Sequence, residues 1–221
     1  STGVPLAKIA ARIMAGEKLA DLHLPADDRE FDYFCVKEAV MPFGRFPGSD
    51  VVLGPEMKST GEVMGIAGNF PAAFTKTQLA IDYEPPRGGE VFISVNDGDK
   101  RNITAIARSI ARLGFSLVAT TGTARALRAS GIECEEVGKI HAGSHTILDR
   151  IASGEIVLMI NTPCGSSTNT DGYEMRAACV RHGVSYCTTL AGAQALIAGM
   201  EAVRETGLDV IALQDLPQWE G

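Results

Sequence analysis

The chain has few aromatic side chains and little positive charge. Aromatic side chains make up 6% of its 221 residues, with a single tryptophan. No apolar run reaches the roughly 18 residues that a membrane-crossing helix requires, and the opening STGVPLAK lacks the basic and apolar regions of a secretion signal. Positive charge is in the minority. Twenty Lys and Arg stand against 27 Asp and Glu, giving a net charge of -7 and a pI near 5.1. Such a chain repels polyanions, so neither nucleic acid nor a membrane surface is an expected partner. Any anion must be held at a local site. The five cysteines, at 35, 134, 164, 179 and 187, are odd in number and irregular in spacing, and contain no CxxC. That argues against a zinc site or a disulfide framework and for free thiols in a reducing cytoplasm. His141 and His145 are four apart, but Gly143 lies between them and no carboxylate or cysteine completes a metal set. There is no GxGxxG after a strand, no GxxxxGK[ST] and no GxSxG elbow.

What is present is alternation. EPPRGG (84–89) reads as a linker. After it come strand EVFISV (90–95), helix 101–114, strand FSLVA (115–119), helix 124–130 and a possible short strand ECEEV (133–137). Helix 145–154, strand IVLMIN (156–161), helix 172–183, strand VSYC (184–187), helix 191–207 and a last strand DVIAL (209–213) follow. The fold expected for 90–221 is α/β, a parallel five-stranded sheet with helices on both faces. Residues 1–83 read as an incomplete α+β tail of a larger domain. They hold helix 4–16, strand 33–40, a Gly/Pro-rich passage at 41–65 and helix 71–82.

Open parallel sheets bind ligands beyond the carboxyl ends of their strands. Four such ends here carry polar residues: NDGDK with Lys100, the run TTGT (120–123), Asn161 with TPCGSSTNTD, and Thr188 with Thr189. Taken alone, TTGT reads first as helix capping, and Lys100 and Lys139 as solvated surface lysines. Together on one edge, these hydroxyls, amides and ammonium groups make up the inventory of a phosphate site.

Three segments, VPLAKIAARIMAG, VKEAVMPFGRFPGSDVVLGPEMKSTGEVMG and ISVNDGDK, carry a resemblance that runs almost end to end and is densest over 36–65. They resemble the carboxyl-terminal portion of the large subunit of carbamoyl phosphate synthetases. The resemblance implies that 1–83 is the trailing end of the second ATP-grasp half, that 84–89 is a linker, and that 90–221 is a methylglyoxal-synthase-like domain binding allosteric effectors. The family's reaction makes carbamoyl phosphate from bicarbonate, glutamine-derived ammonia and two ATP, for pyrimidine and arginine biosynthesis. Implied partners are a glutamine amidotransferase small subunit and other large-subunit copies. ATP and Mg or Mn serve the full enzyme. Their ligands are expected upstream of residue 1, so this chain alone is expected to be inactive and without a cofactor.

By the same resemblance, a nucleotide monophosphate such as UMP or IMP would be held by Ser94, Lys100, Thr120, Gly122, Thr123, Lys139, Asn161, Thr162 and Asp171. Ornithine would meet Glu38, the Tyr186 carbonyl and Thr188. Two positions depart from the family pattern: Thr121 replaces a histidine, and Pro163, which has no N–H, replaces a threonine. Two rivals are weighed. A methylglyoxal synthase would need a Gly-Gly-Asp segment after the third long strand, where TPCGSSTNTD stands, with Asp171 too late to serve. A purely structural module would have an empty pocket.

Overall fold

The computed structural model describes residues 3–25, 30–45, 50–81, 83–138, 146–163 and 170–216. Its first elements are α1 (Leu6–Met14), β1 (Phe34–Val40), β2 (Gly61–Ala67) and α2 (Phe70–Ala80). β1 and β2 pair antiparallel from Phe34↔Ala67 to Val40↔Gly61. β2 begins inside the Gly/Pro-rich passage at 41–65, where the sequence pattern predicts no element. Pairing with β1 overrides the weak local propensity of Gly61 and Gly65. α2 packs on this pair. It starts where the Asn69 side chain accepts the Ala72 N–H at 2.9 Å, next to Pro71, whose ring suits a first turn.

From Glu90 the chain alternates as expected: β3 (Glu90–Ser94), α3 (Ile103–Arg112), β4 (Ser116–Thr120), α4 (Thr121–Ala129), β5 (Glu135–Val137), α5 (Ile147–Ala152), β6 (Ile156–Asn161), α6 (Thr170–His182), β7 (Ser185–Cys187) and α7 (Leu190–Thr206). All five of these strands are parallel, in the order β5-β4-β3-β6-β7. DVIAL is not a sixth strand. Val210 is 92% exposed and Leu213 opens a short 3-10 turn, and the run joins neither sheet.

Period-two patterning divides the core. Val91, Ile93, Leu117, Ala119, Leu158 and Ile160 face α3, α4 and α7, while Phe92, Val118, Ile156 and Met159 face α5 and α6. Opposite the Glu90–Val91 step of β3, β6 carries one extra residue, Val157, and this bulge puts Ile156 and Leu158 on opposite faces. At the amino edge of the sheet, the buried Arg150 of α5 joins two strand starts. It reaches Glu90 at 3.0 Å and takes both carboxylate oxygens of Glu135 at 2.7 and 3.1 Å. α2 also crosses α7, and the crossing is close. A Cβ on Gly199 would lie 2.3 Å from Thr75 Oγ1, a buried hydroxyl that donates to the Pro71 carbonyl at 2.9 Å.

Two predictions follow from this packing. Gly199→Ala should destabilise by roughly 1–3 kcal/mol through overpacking, and adding Thr75→Ala should recover part of the loss. Urea midpoints of the two single variants and the double variant read the coupling, and simple additivity would show that the helices slide apart freely. The second concerns alkali. Burial pushes the Cys179 thiol, 3.7 Å from the Met159 sulfur, up to about 12 from an ordinary 9. The unfolded chain therefore releases this proton first. Its stabilising share is intact below about pH 9 and lost as pH rises toward about 12, at about 1.4 kcal/mol per unit. Melting temperatures should be level to about pH 9 and then fall, and Cys179→Ala should make the fall shallower.

Candidate functional site

β3 is where the chain changes direction. It builds outward through β4 to β5, then returns to place β6 on the other flank of β3. The loops after β3 and β6 therefore lead to helices on opposite faces, and in such sheets ligands bind in the crevice outside the carboxyl ends at this switch point. Its floor is hydrogen-bonded. The Thr162 N–H and Asn161 Nδ2 both donate to the Ser94 carbonyl at 3.2 Å. The Asn96 N–H donates to Thr162 Oγ1 at 3.0 Å. Thr162 and Asn161 are both buried.

On the other flank, Thr120 ends β4. Its hydroxyl lies 3.4 Å from both Ser94 Oγ and Thr123 Oγ1. Thr123 is buried, and its oxygen accepts the Val95 N–H at 3.2 Å. Thr120 holds the N-cap position of α4, with extended backbone, but its side chain caps nothing. This corrects the expectation that TTGT caps the helix: the hydroxyl turns sideways to β3. The start of α4 is thus a nine-residue helix end without a side-chain cap, carrying roughly half a positive charge.

Lys100 supplies a full charge at the same place. Asn96 accepts the Asp99 N–H at 3.1 Å and fixes the turn Asp97–Asp99, which sets Lys100 over α4. A Cβ on Gly122 would stand 2.8 Å from Lys100 Nζ, so the absence of a side chain at 122 makes room for the ammonium. Lys100 is paired with the exposed Asp97, whose carboxyl its hydrogen bond holds below the usual range. Ser94, Lys100, Thr120, Gly122, Thr123, Asn161 and Thr162 therefore converge on one edge. Asp171 opens α6 next to Gly172, where a Cβ would lie 3.6 Å from Asn161 Oδ1. Lys139, with His141 and His145, lies outside the described residues.

The second trio sits at the junction with β1. Glu38 Oε2 accepts from Thr77 Oγ1 at 2.6 Å and from Gln78 Nε2, which binds the carboxylate to α2. Burial first, and the Glu38 charge second, push the Cys187 thiol on β7 up to about 12. Glu38 thus faces the strand that carries Tyr186 and leads to Thr188. Thr189, next in sequence, is a cap: its hydroxyl accepts the Gly192 N–H at 3.1 Å. Sequence reasoning missed Asn96, Asp97 and the buried Arg176. Arg176 left one signal, a charge between Met175 and Ala178, both of which are buried.

Residues 102–188 match the MGS-like domain. Over 221 residues the chain is 48% identical to the carbamoyl phosphate synthase large chain, C-terminal section, of Methanopyrus kandleri, covering 98% of this chain and 41% of that protein. It is 47% identical over 221 residues to the carbamoyl phosphate synthase large chain of Methanothermobacter thermautotrophicus, covering 100% of this chain and 20% of the relative. The large chain of Myxococcus xanthus is 46% identical over 215 residues, again with 20% of its length covered. The chain therefore spans about a fifth of the full-length relatives it matches.

The two threonines should separate cleanly in stability. Thr123→Val strands the Val95 N–H and should cost roughly 1–3 kcal/mol. Thr120→Val gives up no cap and should change the unfolding free energy from urea titration by about 0.5 kcal/mol or less. Equal losses at both positions would mean that Thr120 caps α4 after all.

Proposed function

From a chain that corresponds nearly end to end to the carboxyl-terminal section of carbamoyl phosphate synthase large chains, and that carries an MGS-like domain, we infer an effector-binding function for the carboxyl edge of its five-stranded sheet. The ligand is a nucleoside monophosphate, UMP or IMP. The observation that carries this reading is the Lys100 ammonium set over the uncapped start of α4, beside the hydroxyls of Ser94, Thr120 and Thr123.

The phosphate would take the first-turn N–H groups of α4, the Lys100 ammonium released from Asp97, and the Thr120 and Thr123 hydroxyls, with Lys139 as a second cation. Charge-assisted hydrogen bonds of this kind are worth about 1.5–3 kcal/mol each. Ser94, Asn161, Thr162 and Asp171 are left for the ribose and base. Ornithine would place its ammonium against Glu38, between β1 and the end of β7, with the Tyr186 carbonyl and Thr188 completing the contact.

In the whole protein these ligands would regulate formation of carbamoyl phosphate from bicarbonate, glutamine-derived ammonia and two ATP. The larger assembly would be cytoplasmic and would include ATP-grasp halves, an amidotransferase subunit and further large-subunit copies. Among the described residues no group of three or more His, Cys, Asp or Glu could hold a metal ion. By the resemblance alone, the donors for ATP and its Mg or Mn would belong to the portion that the longer relatives possess beyond this match. On this reading the chain alone makes no carbamoyl phosphate.

Pro163 favours a second reading, a structural module whose pocket has lost its ligand. It supplies no N–H, and its carbonyl lies 3.4 Å from Asn96 Nδ2. Calorimetry with UMP, IMP and ornithine decides between the two. Lys100→Ala should weaken nucleotide binding roughly ten- to a hundredfold, since about 1.4 kcal/mol is tenfold. Asp97→Asn should tighten it by freeing the ammonium. No heat from any of the three ligands with the parent chain would leave the structural module standing.

A further inference from the structure

Arg176 has no place in that ligand list, yet it is among the most constrained polar groups in the chain. Its side chain is 6% exposed and its guanidinium faces two ways. Nη1 donates to Asn161 Oδ1 at 2.8 Å. Nε and Nη2 grip the two carboxylate oxygens of Asp50 at 2.8 and 2.6 Å, the two-point geometry that lysine cannot reproduce. Room for the fork comes from Gly172, one turn earlier on α6, where a Cβ would stand 3.0 Å from Nη1.

Each end of this bridge is tied into something else. An arginine can only donate, so Asn161 must turn its oxygen to Arg176 and its NH2 to the crevice. One of those hydrogens goes to the Ser94 carbonyl at 3.2 Å, which leaves the other for a ligand. At the far end Asp50 organises its own segment. Its Oδ1 accepts the Val52 N–H at 3.2 Å and its carbonyl accepts from Lys58 Nζ at 3.1 Å. Burial raises the Asp50 carboxyl, but the Arg176 hydrogen bonds and the Val52 and Val51 amides outweigh it, and the net direction is down. The turn Phe43–Arg45 also packs against α6, so the first part of the chain meets this helix at more than one point.

We propose that Arg176 is a positioning residue that couples occupancy of the crevice to the 50–58 segment. A ligand accepting from Asn161 Nδ2 locks the amide, the locked amide holds the guanidinium, and the guanidinium holds Asp50. Coupling between two sites is reciprocal, so an intact Asp50 contact must also favour the ligand. This rests on the effector-pocket reading given above.

The experiment uses the full chain with UMP as probe. Hydrogen exchange on the parent should show slower exchange of the Val51 and Val52 amides when UMP is bound. Asp50→Asn and Arg176→Lys should abolish that protection and weaken UMP by about 5–50-fold, within the usual range for coupled sites. A merely structural ion pair would lower the melting temperature of both variants but leave UMP affinity unchanged, and that result overturns the proposal. So does UMP binding to the parent with no change at 50–58, a readout that requires no variant to fold. If neither UMP nor IMP binds the parent, the pocket reading falls and this coupling with it. If both bind and only the coupling is missing, the pocket reading survives alone.

Discussion

The constraint on which this molecule depends is the reversal of chain direction at β3. Parallel strands need crossovers, and a crossover of fixed hand sends its helix to a face set by the direction of travel. By laying β4 and β5 on one flank of β3 and β6 and β7 on the other, the chain must part its loops above Ser94 and Asn161. The parted loops still contain backbone groups that need partners. Thr162, Thr123 and Asn96 supply them, and in doing so line the crevice with hydroxyls and amides. The polar character of the edge is thus a structural necessity first and a recognition surface second.

Three contacts join the two sheets. α2 touches α7 through the Gly199–Thr75 approach, and Asp50 touches α6 through Arg176. Glu38, held by Thr77 and Gln78, faces β7. All three contacts involve elements beyond β3 in the direction of β6 and β7; none described involves β5. The first part of the chain is therefore attached to one half of the larger sheet, the half whose loop carries Asn161.

Much of this was legible in the sequence wherever local patterning and final environment agree. IVLMIN is fully apolar up to its terminal asparagine, and β6 runs over those same residues. The helices on the two faces followed from the alternation of strand and helix after Glu90. Where environment overrules pattern, the reading failed. GEVMGIA contains two glycines yet becomes β2, because β1 supplies a full antiparallel ladder. DVIAL has strand-like composition yet joins neither sheet. TTGT looks like a cap because threonine before a helix usually is one, and nothing local reveals that Thr120 finds Ser94 instead. The residues flanking the crevice, Lys100, Thr120, Asn161 and Thr162, were recoverable because each follows a strand. Arg176 and Asp50 were not, since a contact between residues 126 positions apart leaves no trace in spacing.

Arg150 lies at the opposite edge, with Glu90 and Glu135 at the starts of β3 and β5. Its partners, Glu90, Glu135 and Glu155, include none of the residues around the crevice. Cohesion of the sheet and the chemistry of its ligand edge are therefore carried by separate ends of the same strands, and changes at well-separated sites tend to add independently. Such a scaffold is evolvable: the loops beyond the carboxyl ends can drift in sequence while the ionic clamp keeps the strands in register.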